Sequence, residues 1–97
     1  MSMVLVYGKN MDEVYKGYME QVNNMIFIFL EQLGYEVERT NQGASKLIKQ
    51  IKSERKELNI LETNRKLVVD KGKITYSCDV EVELVRRDKS GKIKKVN

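Results

Sequence analysis

Residues 58–87 contain the feature that most constrains the fold of this chain, a pair of β-prone segments joined by a tight turn. In the second segment, KITYSCDVEVELVRR (73–87), apolar and polar residues alternate, which is typical of a strand with one buried face. The first segment is ambiguous between helix and strand, and its β-branched residues favour a strand over 58–69. Asp70-Lys71-Gly72-Lys73 predicts a hairpin turn, because glycine accepts a positive φ. We therefore expect a long antiparallel hairpin.

The residues before this hairpin predict a strand and a long helix. MVLVYG (3–8) is a short apolar run and is typical of a central strand covered on both faces. Asn10, with Glu13 three residues later, resembles a capping box and predicts a helix start. Gly34 suits the left-handed position that follows a helix. The predicted apolar stripe of this helix recurs at steps of three and four and comprises Met11, Tyr15, Tyr18, Val22, Met25, Phe29 and Leu33.

A second strand and a second helix are predicted next. YEVER (35–39) alternates, so we expect a strand parallel to the first one, because a helix connects the two. The second helix is expected from about Ala44 to Lys56, with an aliphatic face turned inward and lysines turned outward. The order β-α-β-α-β-β predicts an α+β two-layer sandwich with two helices on one face of the sheet.

One domain is expected over residues 1–97, with residues 88–97 as a basic C-terminal turn and tail. Asp88-Lys89-Ser90-Gly91 predicts a type I turn, and IKKV predicts a short terminal strand or a tail. Phe27 and Ile28 lie off the main helix stripe. They suggest surplus apolar surface and hence a homodimer, although a deep core explains them equally well.

The composition argues against an enzyme and against a membrane protein. The chain has no histidine, which removes histidine-based acid–base chemistry and histidine-ligated metal sites. The apolar run Met25–Leu30 is far shorter than the roughly 20 residues that span a bilayer. The single Cys78 is expected to pack in the core, and it suggests the reducing cytoplasm. Neither a metal nor another cofactor is expected.

The charges are unevenly distributed along the chain. Residues 1–45 contain three basic and six acidic residues, whereas residues 46–97 contain fifteen basic and eight acidic residues. Such asymmetry suggests a surface that faces a polyanion. A solvated basic surface without any anionic partner is the plain alternative.

Gly8-Lys9 follows the first predicted strand, and Ser45-Lys46 lies at the second predicted helix. These two segments resemble motifs of the Alba family of archaeal chromatin and RNA-binding proteins, and the predicted element order is similar to that family over about residues 3–87. Asn10 replaces a second family lysine, and Asn41-Gln42-Gly43 replaces a Gly-Arg-Ala stretch. The resemblance implies a homodimer that binds duplex DNA or RNA with little sequence selectivity and is associated with the chromosome.

The resemblance also implies the residues that contact nucleic acid. Lys9 would be the central phosphate contact, and Lys46 would lie near the same surface. The hairpin would supply arm residues along the minor groove. The complete set of candidate residues is Lys9, Arg39, Lys46, Lys49, Arg65, Lys66, Lys71 and Lys73. A dimeric assembly module on the same fold, without nucleic-acid binding, is the alternative function.

Overall fold

The structure of the chain is a computed structural model, and it describes residues 2–87 and 93–95. Within these ranges the chain forms one strand, two consecutive helices and three further strands. The elements are β1 (Ser2–Gly8), α1 (Met11–Gln32), α2 (Asn41–Ser53), β2 (Lys56–Asp70), β3 (Lys73–Arg87) and β4 (Ile93–Lys95). The predicted turn at Asp88–Gly91 lies outside the described residues.

The sheet has the order β1-β3-β2, and β4 also pairs with β3. β1 is antiparallel to β3, with Ser2 opposite Val80 and Gly8 opposite Ile74. The expected β-α-β-α-β-β order, with its parallel crossover, is therefore wrong. The fold is α+β, but both helices come before the hairpin and the strands β1, β3 and β2 form an antiparallel sheet.

Residues 35–39 connect the two helices and are not a strand. Three of these five residues are charged, and only Tyr35 and Val37 are partly buried. Local contacts hold the segment, since the Tyr35 amide donates to the Leu30 carbonyl and the Arg39 side chain donates to Glu31. The alternation that suggested a strand instead reflects one half-buried side of a connection.

The long hairpin is confirmed, with 15 residues in β2 and 15 in β3. Lys71 and Gly72 form the two-residue turn and have φ values of 48° and 75°. Positive φ at both positions is the requirement of a type I′ turn, whose twist matches that of the flanking strands.

The predicted ends of α1 are also confirmed. The Glu13 amide donates to Asn10 Oδ1 at 2.9 Å, and the Lys9 amide donates to Glu13 Oε2 at 2.8 Å. These two bonds form a capping arrangement closely related to the capping box. At the other end Gly34 has a φ of 95°. The Tyr35 amide reaches the Leu30 carbonyl and the Gly34 amide reaches the Glu31 carbonyl, as in a Schellman motif.

The chain divides into two compact units, and α1, β2 and β3 each contribute to both. Unit 1 contains residues 1–26 and 61–81. Its buried apolar side chains come from β1, the first part of α1 and β3, and they are Val4, Val6, Val14, Val22, Cys78 and Val80. Of the predicted stripe, Val22 is buried but Met11 and Tyr15 are exposed, and Val14, which the stripe did not include, is buried as well.

Unit 2 contains residues 27–60 and 82–97. Its buried apolar side chains are Phe27, Leu30, Leu47, Ile51, Leu84 and Val85. Phe27 is thus a core residue, while Ile28 is 46% exposed. α2 begins at Asn41, three residues before the predicted start, because Thr40 caps it and accepts a hydrogen bond from the Gly43 amide.

β1 lies at an edge of the sheet rather than in its centre. Val4, Val6 and Gly8 are buried, whereas the alternate side chains Met3, Leu5 and Tyr7 are exposed. The all-apolar sequence of β1 suggested cover on both faces, but within the described residues only one face of this strand is covered. Three apolar side chains are consequently left at the surface.

Candidate nucleic-acid interface

The eight candidate residues are divided between the two units. Unit 1 contains five of them, which are Lys9, Arg65, Lys66, Lys71 and Lys73. Unit 2 contains the other three, which are Arg39, Lys46 and Lys49. The resemblance implied that Lys46 lies near the same surface as Lys9, whereas the two lysines belong to different units.

Lys9 lies where β1 ends and α1 begins, and its side chain is exposed. Gly8 is opposite Ile74 in this antiparallel pair. Lys9, which follows Gly8, therefore lies near Lys73, which precedes Ile74. The Lys73 ammonium lies 4.9 Å from the centroid of the Tyr7 ring, a distance typical of a cation–π contact. The structure therefore brings Lys9, Lys71 and Lys73 to the same end of unit 1.

Acidic residues offset this cationic end. Unit 1 as a whole contains six basic and seven acidic residues. Arg65 Nε lies 3.4 Å from a Glu62 carboxylate oxygen, and Glu13 accepts from the Lys9 amide. Unit 1 therefore has no excess of positive charge with which to attract a polyanion.

Two of the three candidates in unit 2 have carboxylate partners. Arg39 donates to Glu31 through two nitrogens, with the shorter contact at 2.7 Å. Lys46 lies 3.9 Å from Glu38, and both side chains are mostly exposed. An exposed pair at that distance is weak, so Lys46 remains accessible to a stronger anion. Lys49 is exposed on α2.

At the start of α2, the amides of Gly43 and Ala44 already have hydrogen-bond acceptors within the protein. The Gly43 amide donates to Thr40 Oγ1 at 3.0 Å, and the Ala44 amide donates to the Thr40 carbonyl. Gly43 is buried, and a Cβ on it would lie 1.9 Å from the Glu38 carbonyl oxygen. The connection between the helices thus packs directly against Gly43, while Asn41 and Gln42 of the same turn remain exposed.

The pairing of β3 with β4 brings together basic residues that are not among the eight candidates. Arg86 is opposite Lys94, Arg87 is opposite Ile93, and Val85 is opposite Lys95. The sequence shows that the C-terminal tail is basic. Only the strand pairing shows that Lys94 and Lys95 of this tail lie on the strand next to Arg86 and Arg87. Unit 2 contains twelve basic and seven acidic residues, so the positive excess of the chain belongs to this unit.

The acidic face of β3 has polar partners on β2. Asn64 donates to Asp79 at 2.7 Å, and Asn59 donates to Glu83 at 3.4 Å. Across residues 2–87 and 93–95, no three potential ligands lie close enough together to hold a metal ion.

A tyrosine–glutamate cluster connects α1 to the hairpin inside unit 1. Tyr18 and Tyr76 donate to the two different carboxylate oxygens of Glu62, the second at 3.2 Å. Their rings meet edge to face, with centroids 5.6 Å apart. Burial, followed by the hydrogen bond to Glu62, raises the pKa of Tyr18. Burial also raises the pKa of Tyr76 to about 12. Both phenols therefore stay protonated and act as structural donors.

The connection between the helices contains a second such contact, at an open depression of about 460 Å³ in unit 2. Tyr35 donates to Glu54 at 2.7 Å, and Lys56 lies 3.5 Å from the same carboxylate oxygen. The Tyr35 hydrogen bond lowers the pKa of Glu54. The Tyr35 hydroxyl and the Lys56 ammonium group both contact the Glu54 carboxylate. These polar groups therefore have structural partners at the depression.

Comparisons with protein-family models, with curated proteins and with the solved structures find no match to this chain. In the described part of the chain, no helix combines the length and the apolar character needed to cross a membrane.

Proposed function

We propose that this protein binds nucleic acid, duplex DNA or RNA, mainly through electrostatic contacts with unit 2. The proposal rests on one observation, the unequal net charge of the two units. Unit 2 has an excess of five basic residues, whereas unit 1 has one more acidic residue than basic ones. A polyanion is attracted by such a local excess rather than by the net charge of the whole chain.

The basic side chains of unit 2 favour contacts to phosphates over the reading of bases. α2 exposes Lys46, Lys49 and Lys52, and lysine acts as a point charge without the planar fork of arginine. The aromatic residues of unit 2, Phe27, Phe29 and Tyr35, are buried or half-buried, so none offers an open ring on which a base could stack. Weak sequence selectivity and a preference for duplexes follow.

Membership of the Alba family is a hypothesis that rests on Gly8-Lys9 and Ser45-Lys46. The predicted element order, which also supported the resemblance, is not the order of this fold. The proposal of nucleic-acid binding therefore relies on the charge division and needs no family membership. Association with the chromosome or with cellular RNA would follow from such binding.

A salt titration of binding tests the proposal. If the five excess charges neutralise about five phosphates, the log–log slope of affinity against salt on duplex DNA should be about −4 to −5. Two triple variants with equal charge loss provide the matched comparison, Lys46→Gln/Lys49→Gln/Lys52→Gln in unit 2 and Lys9→Gln/Lys66→Gln/Lys71→Gln in unit 1. The first should shallow the slope by about two to three units and the second by less than one. Absence of duplex binding at low salt would refute the proposal.

The second candidate function is self-assembly through the free edge of β1. The Leu5 carbonyl faces this edge and accepts a hydrogen bond from Gln21 Nε2 at 2.9 Å, so a partner strand would have to displace that side chain. From Ser2 to Gly8 the strand has no charged residue and no proline, and Met3, Leu5 and Tyr7 are 66%, 52% and 70% exposed. An uncharged apolar edge of this kind favours pairing with another strand.

The opposite edge of the sheet, formed by β2, is protected. Asn64 interrupts β2 with a φ of 55°, and Arg65 and Lys66 follow directly. Irregular backbone and charged residues are common devices against edge pairing. A second copy of this chain is therefore expected to pair antiparallel along β1, with Leu5 opposite its counterpart.

Light scattering tests this homodimer. The wild type should have twice the monomer mass of 11.3 kDa. Leu5→Lys should give the monomer, whereas Leu67→Lys, at an equally exposed position of β2, should leave the dimer intact. A wild-type monomer at tens of micromolar protein would refute self-assembly.

A further inference from the structure

We infer that three cations along and just beyond the C-terminal half of α2 contact the phosphates of the bound nucleic acid, and that Arg55 clamps one phosphate through two guanidinium nitrogens. The inference rests on the proposed function and assigns it a location. The three cations, called the α2 row below, are Lys49, Lys52 and Arg55, and all three side chains are exposed. Lys49 and Lys52 lie on adjacent turns, and the Arg55 amide donates to the Lys52 carbonyl at 3.0 Å. The row is therefore continuous.

No acid on α2 compensates the α2 row. From Asn41 to Ser53 the helix contains three lysines and no acidic residue. Like charges on adjacent turns are unfavourable for a helix, so the protein alone gains nothing from this arrangement. A bound phosphate removes the repulsion and accepts charge-assisted hydrogen bonds from the cations.

Two acids of the connection between the helices lie near α2, and neither pairs with the α2 row. Glu38 lies 3.9 Å from Lys46. Glu36 lines the open depression together with Gln50, and it forms no ion pair with a residue of the described ranges. Lys46 thus has a carboxylate beside it, which the α2 row lacks, and for this reason it is not included in the row.

The acids that follow α2 have other partners. Glu54 accepts a hydrogen bond from Tyr35 and contacts Lys56. Glu57 on β2 and Glu83 on β3 are not free either. In the described part of the chain, no ion pair joins the α2 row to a carboxylate. The row therefore keeps its charge for an external anion.

The backbone at Arg55 is an independent reason to assign this residue a function. Arg55 follows the C-cap of α2 and has a φ of 59°. Glycine is the usual residue at such a left-handed position, because a side chain there is strained. A cation near the end of a helix is favourable, but Lys52 in the last turn already provides one. Strain of this kind is concentrated at functional sites, and a guanidinium can contact two phosphate oxygens at once.

Salt titrations of binding to one duplex of about two helical turns test the α2 row. Arg55→Gly should shallow the log–log slope by about 0.9, the value for one phosphate contact. The row variant, Lys49→Gln/Lys52→Gln/Arg55→Gly, should shallow it by about 2.7. Lys71→Gly is the matched control, because Lys71 in unit 1 is also a cation at a positive φ, of 48°. It should leave the slope unchanged.

Arg55→Lys separates the clamp from the charge. This variant should keep the slope of the wild type, because the charge remains. Its affinity at constant salt should fall several-fold, because an ammonium group cannot make the two-pronged contact of a guanidinium. Equal affinities of Arg55→Lys and the wild type would show that Arg55 is not a clamp.

A second measurement needs no nucleic acid and separates the inference from the proposed function. Inorganic tripolyphosphate should raise the thermal midpoint of the wild type and of Lys71→Gly, but not that of the row variant. Without any anion, Arg55→Gly should have a midpoint equal to or above that of the wild type, because glycine removes the backbone strain. A clearly lower midpoint would make Arg55 a structural residue and overturn its assignment.

The outcomes are distinct. If the wild type binds duplexes and the row variant keeps the full slope, the row is wrong and the proposed function stands. If no nucleic acid binds but tripolyphosphate stabilises only proteins with an intact α2 row, the row stands and its ligand is another polyphosphate. If tripolyphosphate stabilises the row variant as much as the wild type, or stabilises neither, the inference is overturned.

Discussion

Gly43→Ala tests how closely the connection between the helices covers α2. A Cβ at this position would lie 1.9 Å from the Glu38 carbonyl oxygen and 2.8 Å from the carbonyl carbon. Favourable carbon–oxygen contacts are about 3.3–3.6 Å long, so the overlap exceeds 1 Å. Because both atoms belong to the backbone, no side-chain rotation relieves the clash. Either residues 35–39 or the first turn of α2 must move.

The expected magnitude combines two opposing effects. Overpacking of a closely packed site costs about 1–3 kcal/mol and occasionally more, while replacing glycine by alanine in a helix recovers up to about 1 kcal/mol. A net loss of about 2 kcal/mol is expected. For a domain of this size it corresponds to a fall of roughly 8–16 °C in the thermal midpoint.

Thermal and urea unfolding of three variants separate the causes. Gln42→Ala, an exposed position in the same turn, should change the free energy of unfolding by no more than about 0.5 kcal/mol. Gly34→Ala introduces a strained φ of 95° but no clash within 4 Å, so it should cost about 1 kcal/mol. Gly43→Ala should be the most damaging of the three. If it is as stable as the wild type, the connection does not cover α2 and our account of Gly43 is wrong.

Three further predictions concern the caps and the tyrosine cluster. Burial raises the pKa of Tyr76 from 10.0 to about 12 in the folded state. The folded protein therefore holds this proton more tightly than the unfolded chain does. As a result, the free energy of unfolding should fall as the pH rises from about 10 to about 12. Urea unfolding at stepped pH measures this fall, which should be smaller for Tyr76→Phe, and a flat profile in the wild type would contradict the prediction. Asn10→Ala should lower the free energy of unfolding by about 1 kcal/mol, because the Glu13 amide loses its capping acceptor. Asn24→Ala, in the middle of α1, should not lower it. Equal losses in the two variants would show that capping is not the cause. Glu62→Leu should cost about 1–3 kcal/mol, because two tyrosine hydroxyls lose their acceptor, and Glu62→Gln should cost less; equal thermal midpoints for Glu62→Leu and the wild type would contradict this.

The elements that sequence reasoning predicted well depend on neighbours within a few residues. The hairpin follows from the alternation over residues 73–87 and from Lys71-Gly72, whose positive φ values need no distant partner. The ends of α1 follow from Asn10 and Gly34 in the same way, since a cap involves the backbone within one helical turn.

The errors concern features that depend on partners distant in sequence. Residues 35–39 alternate like a strand, but a strand forms only where another strand offers a ladder of hydrogen bonds. Here the segment bonds to the end of α1 and to Glu54 instead. β1 has the composition of a central strand, and only the pairing with β3 places it at an edge.

The charges show the same division between local and distant information. The sequence alone determined that the positive excess lies in the second half of the chain. The tertiary structure decided that the hairpin end shares unit 1 with the acids of α1, and that Arg86 meets Lys94 across two strands. Spacing along a chain specifies which residues share one face of a helix or strand. Which faces come together is decided by packing between segments that are far apart in sequence.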